Sequence, residues 1–227
     1  NGQFRDDVRR FLRGDDNAVM PFVERLCGSP DIYHYHHADP EKSINFVTCH
    51  DGFTLWDWAS YNGKHNDANG EQNRDGCDHN FSWNHGQEGP SEDPQINALR
   101  LRQAKNMMVA TLLSVGSPML LMGDEVLRTQ HGNNNGYCQD NDTCWMQWQP
   151  DAMGQEMFRF MKELIQYRKH LFQRPEQESM PLSLTEILRH SEICWHGVNA
   201  AQPDFSPHSH AIAMSALSSE TRLALYV

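Results

Sequence analysis

The chain has 227 residues, with 30 acidic against 19 basic side chains and a formal net charge of −11 when histidine is neutral. So acidic a balance excludes nucleic acid and anionic membrane as natural partners, because both reward clustered Lys and Arg; no apolar run is long enough to span a bilayer, and the opening Asn1-Gly2-Gln3-Phe4-Arg5 lacks the apolar stretch of a signal peptide. The length fits one large domain, or one domain plus part of another, and aromatic residues at 10%, six of them Trp, supply rings that fill core or lie against sugars.

Residues 4–14, FRDDVRRFLRG, predict a short amphipathic helix with Phe4, Val8 and Phe11 on one face and Gly14 as its stop. A loop-rich stretch runs from there to about Asp39. Its His34, His36 and His37 lack the helical spacing of a histidine metal site, so a polar surface loop is expected and no metal. Ser43 to Cys49 reads as a β-strand that ends at His50-Asp51-Gly52, the way α/β proteins present side chains at the carboxyl end of a sheet.

Residues 59–93 are dense in Asn, Asp, Gly and His, and Trp56, Trp58 and Trp83 flank or punctuate them. Disordered tracts seldom carry such rings, so an ordered loop over a site is expected. Asp93 then caps, and Pro94 opens, a helix whose Leu101, Ala104, Met108, Leu112 and Val115 share one apolar face; Met107 and Met108 are core. Gly116-Ser117-Pro118 ends it, and Met119 to Met122 has the continuous apolar character of a buried parallel strand, closing at Gly123-Asp124-Glu125. Strand–helix–strand with polar residues at both strand ends is a βαβ signature.

An Asn- and Gly-rich loop at 131–142 leads to a second amphipathic helix at 157–172, with Phe158, Met161, Ile165 and Leu171 on its apolar side and Arg168, Lys169 and His170 at its C-terminal end. Beyond Pro175 the helical period gives way to β-prone runs at 193–196, 211–217 and 223–227, the start of a small β domain whose last run stops as though inside a strand. Cys27, Cys49, Cys77, Cys138, Cys144 and Cys194 form no CxxC pair and no regular spacing, which predicts free thiols in a reducing compartment.

Spacing nominates two carboxylate clusters at strand ends, Asp51 and Asp124-Glu125, and glycoside hydrolysis is chemistry that carboxylates perform. Solvated surface acids and rim hydrogen bonding are the competing reading, and for Asp124 and Glu125 it is the preferred one. Asn133, Asn134, Asn135 and Tyr137 follow the second strand. Amides donate and accept at once, as sugar hydroxyls need, and a Tyr ring covers a pyranose face; a turn built for its own sake is equally compatible.

NFVTCHDGFTL (45–55), YNGKHNDANGEQNRDG (61–76), SPMLLMGDEVLRTQHGNNNGYCQDND (117–142), the opening FRDDVRRFLRG and WHGVNAAQPDFSPHSHAIA (195–213) resemble, in family order, the isoamylase and bacterial glycogen-debranching branch of the α-amylase superfamily. Ordinary α-amylases, glucan transferases and neopullulanase-like hydrolases match the Asn-rich blocks poorly, and Phe205, where relatives tend to carry Trp, is a mild departure. The resemblance implies an α/β fold: the C-terminal portion of a (β/α)8 TIM barrel, about its last two strands and their helices, over 1–175, then the start of an antiparallel β-sandwich domain over 176–227. It implies hydrolysis of α-1,6 branch linkages in glycogen, amylopectin or limit dextrin by a retaining carboxylate mechanism, with no metal and no organic cofactor. Asp51 takes the place of the family's transition-state stabiliser, and His50 that of the histidine bonded to the same glucose ring. The nucleophilic Asp and general-acid Glu belong upstream of Asn1, so this chain alone is expected to be inactive. A non-catalytic glucan-binding or regulatory subunit is the alternative. The expected location is the cytoplasm, with the plastid stroma as alternative, and the oligomeric state stays open.

Overall fold

The computed structural model describes residues 1–33, 40–171, 191–217 and 222–226. His34, His36, His37, the expected boundary at 175/176 and Val227 lie outside them. The chain clusters into two units: Asn1–Asn45, Val109–Pro118 and Glu163–Val227 form one, and Phe46–Met108 with Met119–Lys162 the other.

In the first unit, α1 (Gly2–Arg13) buries Phe4, Val8, Phe11 and Leu12, and Gly14 ends it at a left-handed φ of 89°. The stretch expected to be loop instead carries α2 (Val19–Leu26), which buries Val19, Phe22 and Leu26, and a short α3 (Pro30–Tyr33). Those apolar residues of α2 are spaced at three, four and seven, and Pro21 sits in the first turn, where its missing N–H costs nothing. Phe11 and Phe22 stack with ring centroids 4.2 Å apart.

The strand expected over 43–49 is shorter: β1 (Ile44–Asn45) pairs in parallel with β2 (Ser117–Pro118), and pairing stops there. The buried strand expected over Met119–Met122 is not formed. Met119, Leu120 and Met122 are 38%, 37% and 66% exposed. Apolar character alone drew that expectation, and Pro118 removes the N–H that a ladder would need to continue. Buried Asn45 donates through Nδ2 to the Val115 carbonyl at 2.8 Å.

Between the two strands in sequence runs α5 (Pro94–Leu113). Asp93 Oδ1 accepts from Gln95 N at 2.8 Å, the expected cap, and Leu101, Ala104, Met107, Met108 and Leu112 are buried as expected. Its C-terminal carbonyls need partners. Arg168, from α6 (Ala152–Leu171), donates to the carbonyls of Leu112, Ser114 (3.4 Å) and Gly116 (2.9 Å). Helix α6 starts earlier than expected because Asp151 caps it, accepting from Gly154 N at 2.8 Å. Its buried stripe is Met157, Met161 and Leu164; Met161 is on the expected face, whereas Phe158, expected there too, is 51% exposed. Strands β3 (Glu192–His196), β4 (Ala213–Leu217) and β5 (Arg222–Tyr226) form an antiparallel meander, and Met214 and Ala216 pack with Val115, Leu171 and Trp195.

Candidate functional site

All the nominated site residues belong to the second unit. Past β1 the chain leaves the strand and runs through Val47 and Thr48 into a bend at His50–Gly52, where Gly52 takes a φ of 81°. His50 and Asp51 are exposed on this bend, and Cys49 Sγ lies 2.6 Å from Asp51 Oδ1. Three hydrogen bonds fix the bend. Thr48 Oγ1 donates to Asp124 Oδ2 while Leu55 N donates to Asp124 Oδ1 at 3.0 Å, and Gly52 N donates to the Asn134 carbonyl at 2.9 Å.

Asp124 is 1% exposed, and burial pushes its carboxyl up to about 6 against the two hydrogen bonds it accepts. Glu125 Oε2 accepts from Gly123 N at 2.7 Å. Asp124 thus holds the distant Thr48 and Leu55 while Glu125 braces its own turn, hydrogen bonding of the kind expected of both acids. A second buried acid, Asp57, stands on the short α4 (Leu55–Trp58), capped by Thr54. It accepts from Thr129 Oγ1 at 2.5 Å and Gln130 N at 2.8 Å, and burial raises it despite those bonds. Nothing in the sequence marks Asp57 for this, since its partners are more than seventy residues away in the chain.

The polar 59–93 segment is ordered, with one 3-10 turn at Asp67–Asn69 and otherwise irregular backbone. Trp58 Nε1 donates to the Phe81 carbonyl at 2.7 Å, and Glu88 accepts from Asn62 N at 2.8 Å and Asn84 Nδ2 at 2.9 Å. Buried Arg100 of α5 holds the segment's far end through the carbonyls of Gly89 (2.8 Å), Asn84 (2.9 Å) and Gln87.

This segment and the Asn133–Tyr137 loop are bonded to each other. Asn66 and Asn134 pair reciprocally: Asn66 Nδ2 donates to Asn134 Oδ1 at 2.8 Å, and Asn134 N to Asn66 Oδ1 at 2.9 Å. Asn134 Nδ2 donates to the Cys77 carbonyl and to Asn80 Oδ1, and Asn133 Nδ2 to Asn69 Oδ1 at 2.8 Å. Asp75 Oδ2 accepts from Asn69 Nδ2 at 2.7 Å and Asn135 Nδ2 at 2.9 Å, and those bonds hold its carboxyl below the usual range.

The sequence leaves these asparagines two roles, sugar contact or a turn of their own, and burial separates them residue by residue. Asn133 and Asn134 are 2% and 1% exposed and spend their amides inside the protein, so they build the rim rather than face solvent. Asn135 is half-buried, and Tyr137 is 70% exposed. Asn66, Asn69 and Asp75 complete the network without having been marked by spacing, although all three fall in the family-like block 61–76. Trp148, 80% exposed, lines a cleft of about 480 Å³ with Met146, Pro150 and Phe158.

No family model matches the chain. It is 50% identical over 170 residues to the glycogen operon protein GlgX homolog of Mycobacterium tuberculosis, covering 75% of this chain and 24% of that protein. It is 40% identical over 228 residues to isoamylase SU1, chloroplastic, of Zea mays, covering 100% of this chain and 28% of that protein. The chain thus spans about a quarter of the length of the curated relatives it matches. Among solved structures it resembles GBS pullulanase SAP in complex with maltotetraose, with a TM-score of 0.66 at 15% identity over 100% of this chain and 30% of that one. It also resembles the pullulanase from Bacillus acidopullulyticus, with a TM-score of 0.62 at 20% identity over 95% of this chain and 22% of that one. At such identities these two likenesses speak for the α/β fold alone.

Proposed function

Because this chain belongs to the isoamylase and GlgX-type debranching branch of the α-amylase superfamily, we propose that it supplies the glucan-facing rim of an enzyme hydrolysing α-1,6 branch linkages in glycogen, amylopectin or limit dextrin. One observation carries the reading. His50 and Asp51 are exposed together on a bend that is tied through Gly52 to the Asn134 carbonyl. In this reading the parallel pair β1–β2, with α5 between its strands in sequence, forms the last two strands of a (β/α)8 barrel, and the β3–β5 meander begins a β-sandwich.

Asp51 stabilises the oxocarbenium-like transition state electrostatically, and His50 binds the same sugar ring. Tyr137 covers a pyranose face. Asn133, Asn134 and Asn135 position the rim on which these side chains stand. A retaining mechanism also needs a nucleophile and an acid about 5–5.5 Å apart. Asp57, Asp75 and Asp124 are held by internal hydrogen bonds, which leaves those two roles to residues other than these. In a complete protein that carries them, Asp51→Asn should lower release of reducing ends from glycogen about a hundredfold or more at unchanged fold. Near-normal turnover by that variant would remove Asp51 from the chemistry.

The same engagement of Asp57, Asp75 and Asp124 also favours a second reading, a non-catalytic glucan-binding subunit. It differs by predicting that the complete protein retains maltotetraose yet releases no reducing ends. We place the protein in the cytoplasm, or in the plastid stroma that the chloroplastic relatives support; among the described residues no helix is long and apolar enough to cross a membrane.

A further inference from the structure

Consecutive side chains usually diverge, but the bend at His50–Gly52 gathers three of them. One ligand atom each from Cys49, His50 and Asp51 lies within 4.8 Å of the other two: a sulfur, an imidazole nitrogen and a carboxylate oxygen. Each donor is of a different chemical type. The bend that carries them is held by Gly52 N on the Asn134 carbonyl and by Thr48 on buried Asp124, so the donors start close together on a fixed support. We infer that Cys49, His50 and Asp51 capture a borderline-soft divalent cation of the Zn2+ class, and that its capture takes Asp51 away from glucan. The second half of this inference rests on the reading of Asp51 as a glucan-facing carboxylate.

Thiolate and imidazole donors select Zn2+ over Ca2+ or Mg2+, which prefer oxygen cages. Three protein ligands leave the remaining coordination position to water, as in open zinc sites. A tetrahedral zinc with sulfur at about 2.3 Å and oxygen at about 2.0 Å sets those two ligand atoms about 3.5 Å apart. Cys49 Sγ and Asp51 Oδ1 stand 2.6 Å apart, so they must part by roughly 0.9 Å. Half-buried Cys49 and exposed Asp51 do this by side-chain rotation. The thiol proton directed at the carboxylate leaves for solvent as the metal–sulfur bond forms, and no oxidation state changes. With its oxygen on the cation, Asp51 no longer accepts from sugar hydroxyls or faces developing positive charge.

Co2+ takes up zinc geometry and reports thiolate ligation by a charge-transfer band in the near ultraviolet. Added to the full chain, it should give a stoichiometric band that Zn2+ displaces and Ca2+ does not. Cys49→Ser should abolish the band, and His50→Ala and Asp51→Asn should each weaken Zn2+ binding by at least about tenfold while keeping the parent's far-ultraviolet dichroism. Zn2+ should also weaken retention of maltotetraose. Absence of the band in the parent chain overturns the site, and so does a band that survives in Cys49→Ser, because the metal would then sit on another thiol such as exposed Cys77 or Cys138. A Cys49-dependent band with maltotetraose retention indifferent to Zn2+ overturns the blocking step. Failure of maltotetraose to bind with or without metal sinks the glucan reading alone, and the cobalt band still decides the metal site.

Discussion

Asp124 shows how much one buried carboxyl can decide. Its folded value near 6 lies above the ordinary 3.8, so its protonated form is the one the fold favours. The group's contribution is complete below the ordinary carboxyl range and is lost as pH rises through about 6. The loss is on the order of 3 kcal/mol by the usual conversion of a pKa difference. Asp124→Asn keeps the shape without the charge. Relative to the parent, that variant should be more stable at pH 7.5 than at pH 4.5, and urea midpoints at the two values measure the difference. A parent and variant that track each other in parallel would remove Asp124 as the cause. Asn134 is the uncharged counterpart. Truncation to Ala removes the amide that donates to the Cys77 carbonyl and Asn80 Oδ1 and the oxygen that accepts from Asn66 Nδ2, which keeps its bond to the Asp75 carbonyl at 3.0 Å. It should cost about 1–3 kcal/mol in denaturant unfolding and loosen the bend that carries Asp51.

Among the elements, α5 is anchored at both ends by arginine. Arg100 grips three carbonyls near the end of the 59–93 segment, and Arg168 grips three at the helix's own C-terminus. A lysine ammonium cannot span three carbonyls as a planar guanidinium does. Arg100→Lys should therefore speed protease cleavage near residues 84–89, read by limited proteolysis, while α5 itself persists. Gly116 is a tighter constraint. It holds a φ of 126°, and a Cβ placed there would stand 2.7 Å from the Ser43 carbonyl. Gly116→Ala should cost at least about 1 kcal/mol and strain the β1–β2 pairing.

Elements governed by local chemistry were legible in the sequence: α1 with its glycine stop, α5 with its Asp93-Pro94 start, and the three β-prone runs near the end. Elements governed by distant partners were not. Apolar content predicted a strand at Met119–Met122 that does not form, and on α6 Met157 is buried in place of Phe158 while Met161 lies inside as expected. The same division holds at the site. His50, Asp51 and Tyr137 could be nominated from short motifs, whereas the burial of Asn133 and Asn134 depends on Asn66, Asn69, Cys77 and Asn80 far off in the chain.

Taken whole, each of the two units is assembled from separated stretches of chain, so neither closes by local contacts alone. The chain by itself is expected to release no reducing ends from glycogen or pullulan, which a sensitive sugar assay on the purified chain checks; robust release would mean that a nucleophile and an acid lie among these residues after all. The asparagine network sets a further limit, on the lifetime of the molecule. Asparagine is a thermolabile side chain, and Asn135 is followed by Gly136, the neighbour that least obstructs attack of the next backbone nitrogen on the amide. Hydrolysis of that amide would replace the donor 2.9 Å from Asp75 by a second carboxylate, turning a bond into a repulsion. Each such event is irreversible and loosens the loop that carries Tyr137. Warm storage should thus erode the rim by chemical ageing, long before the chain as a whole unfolds.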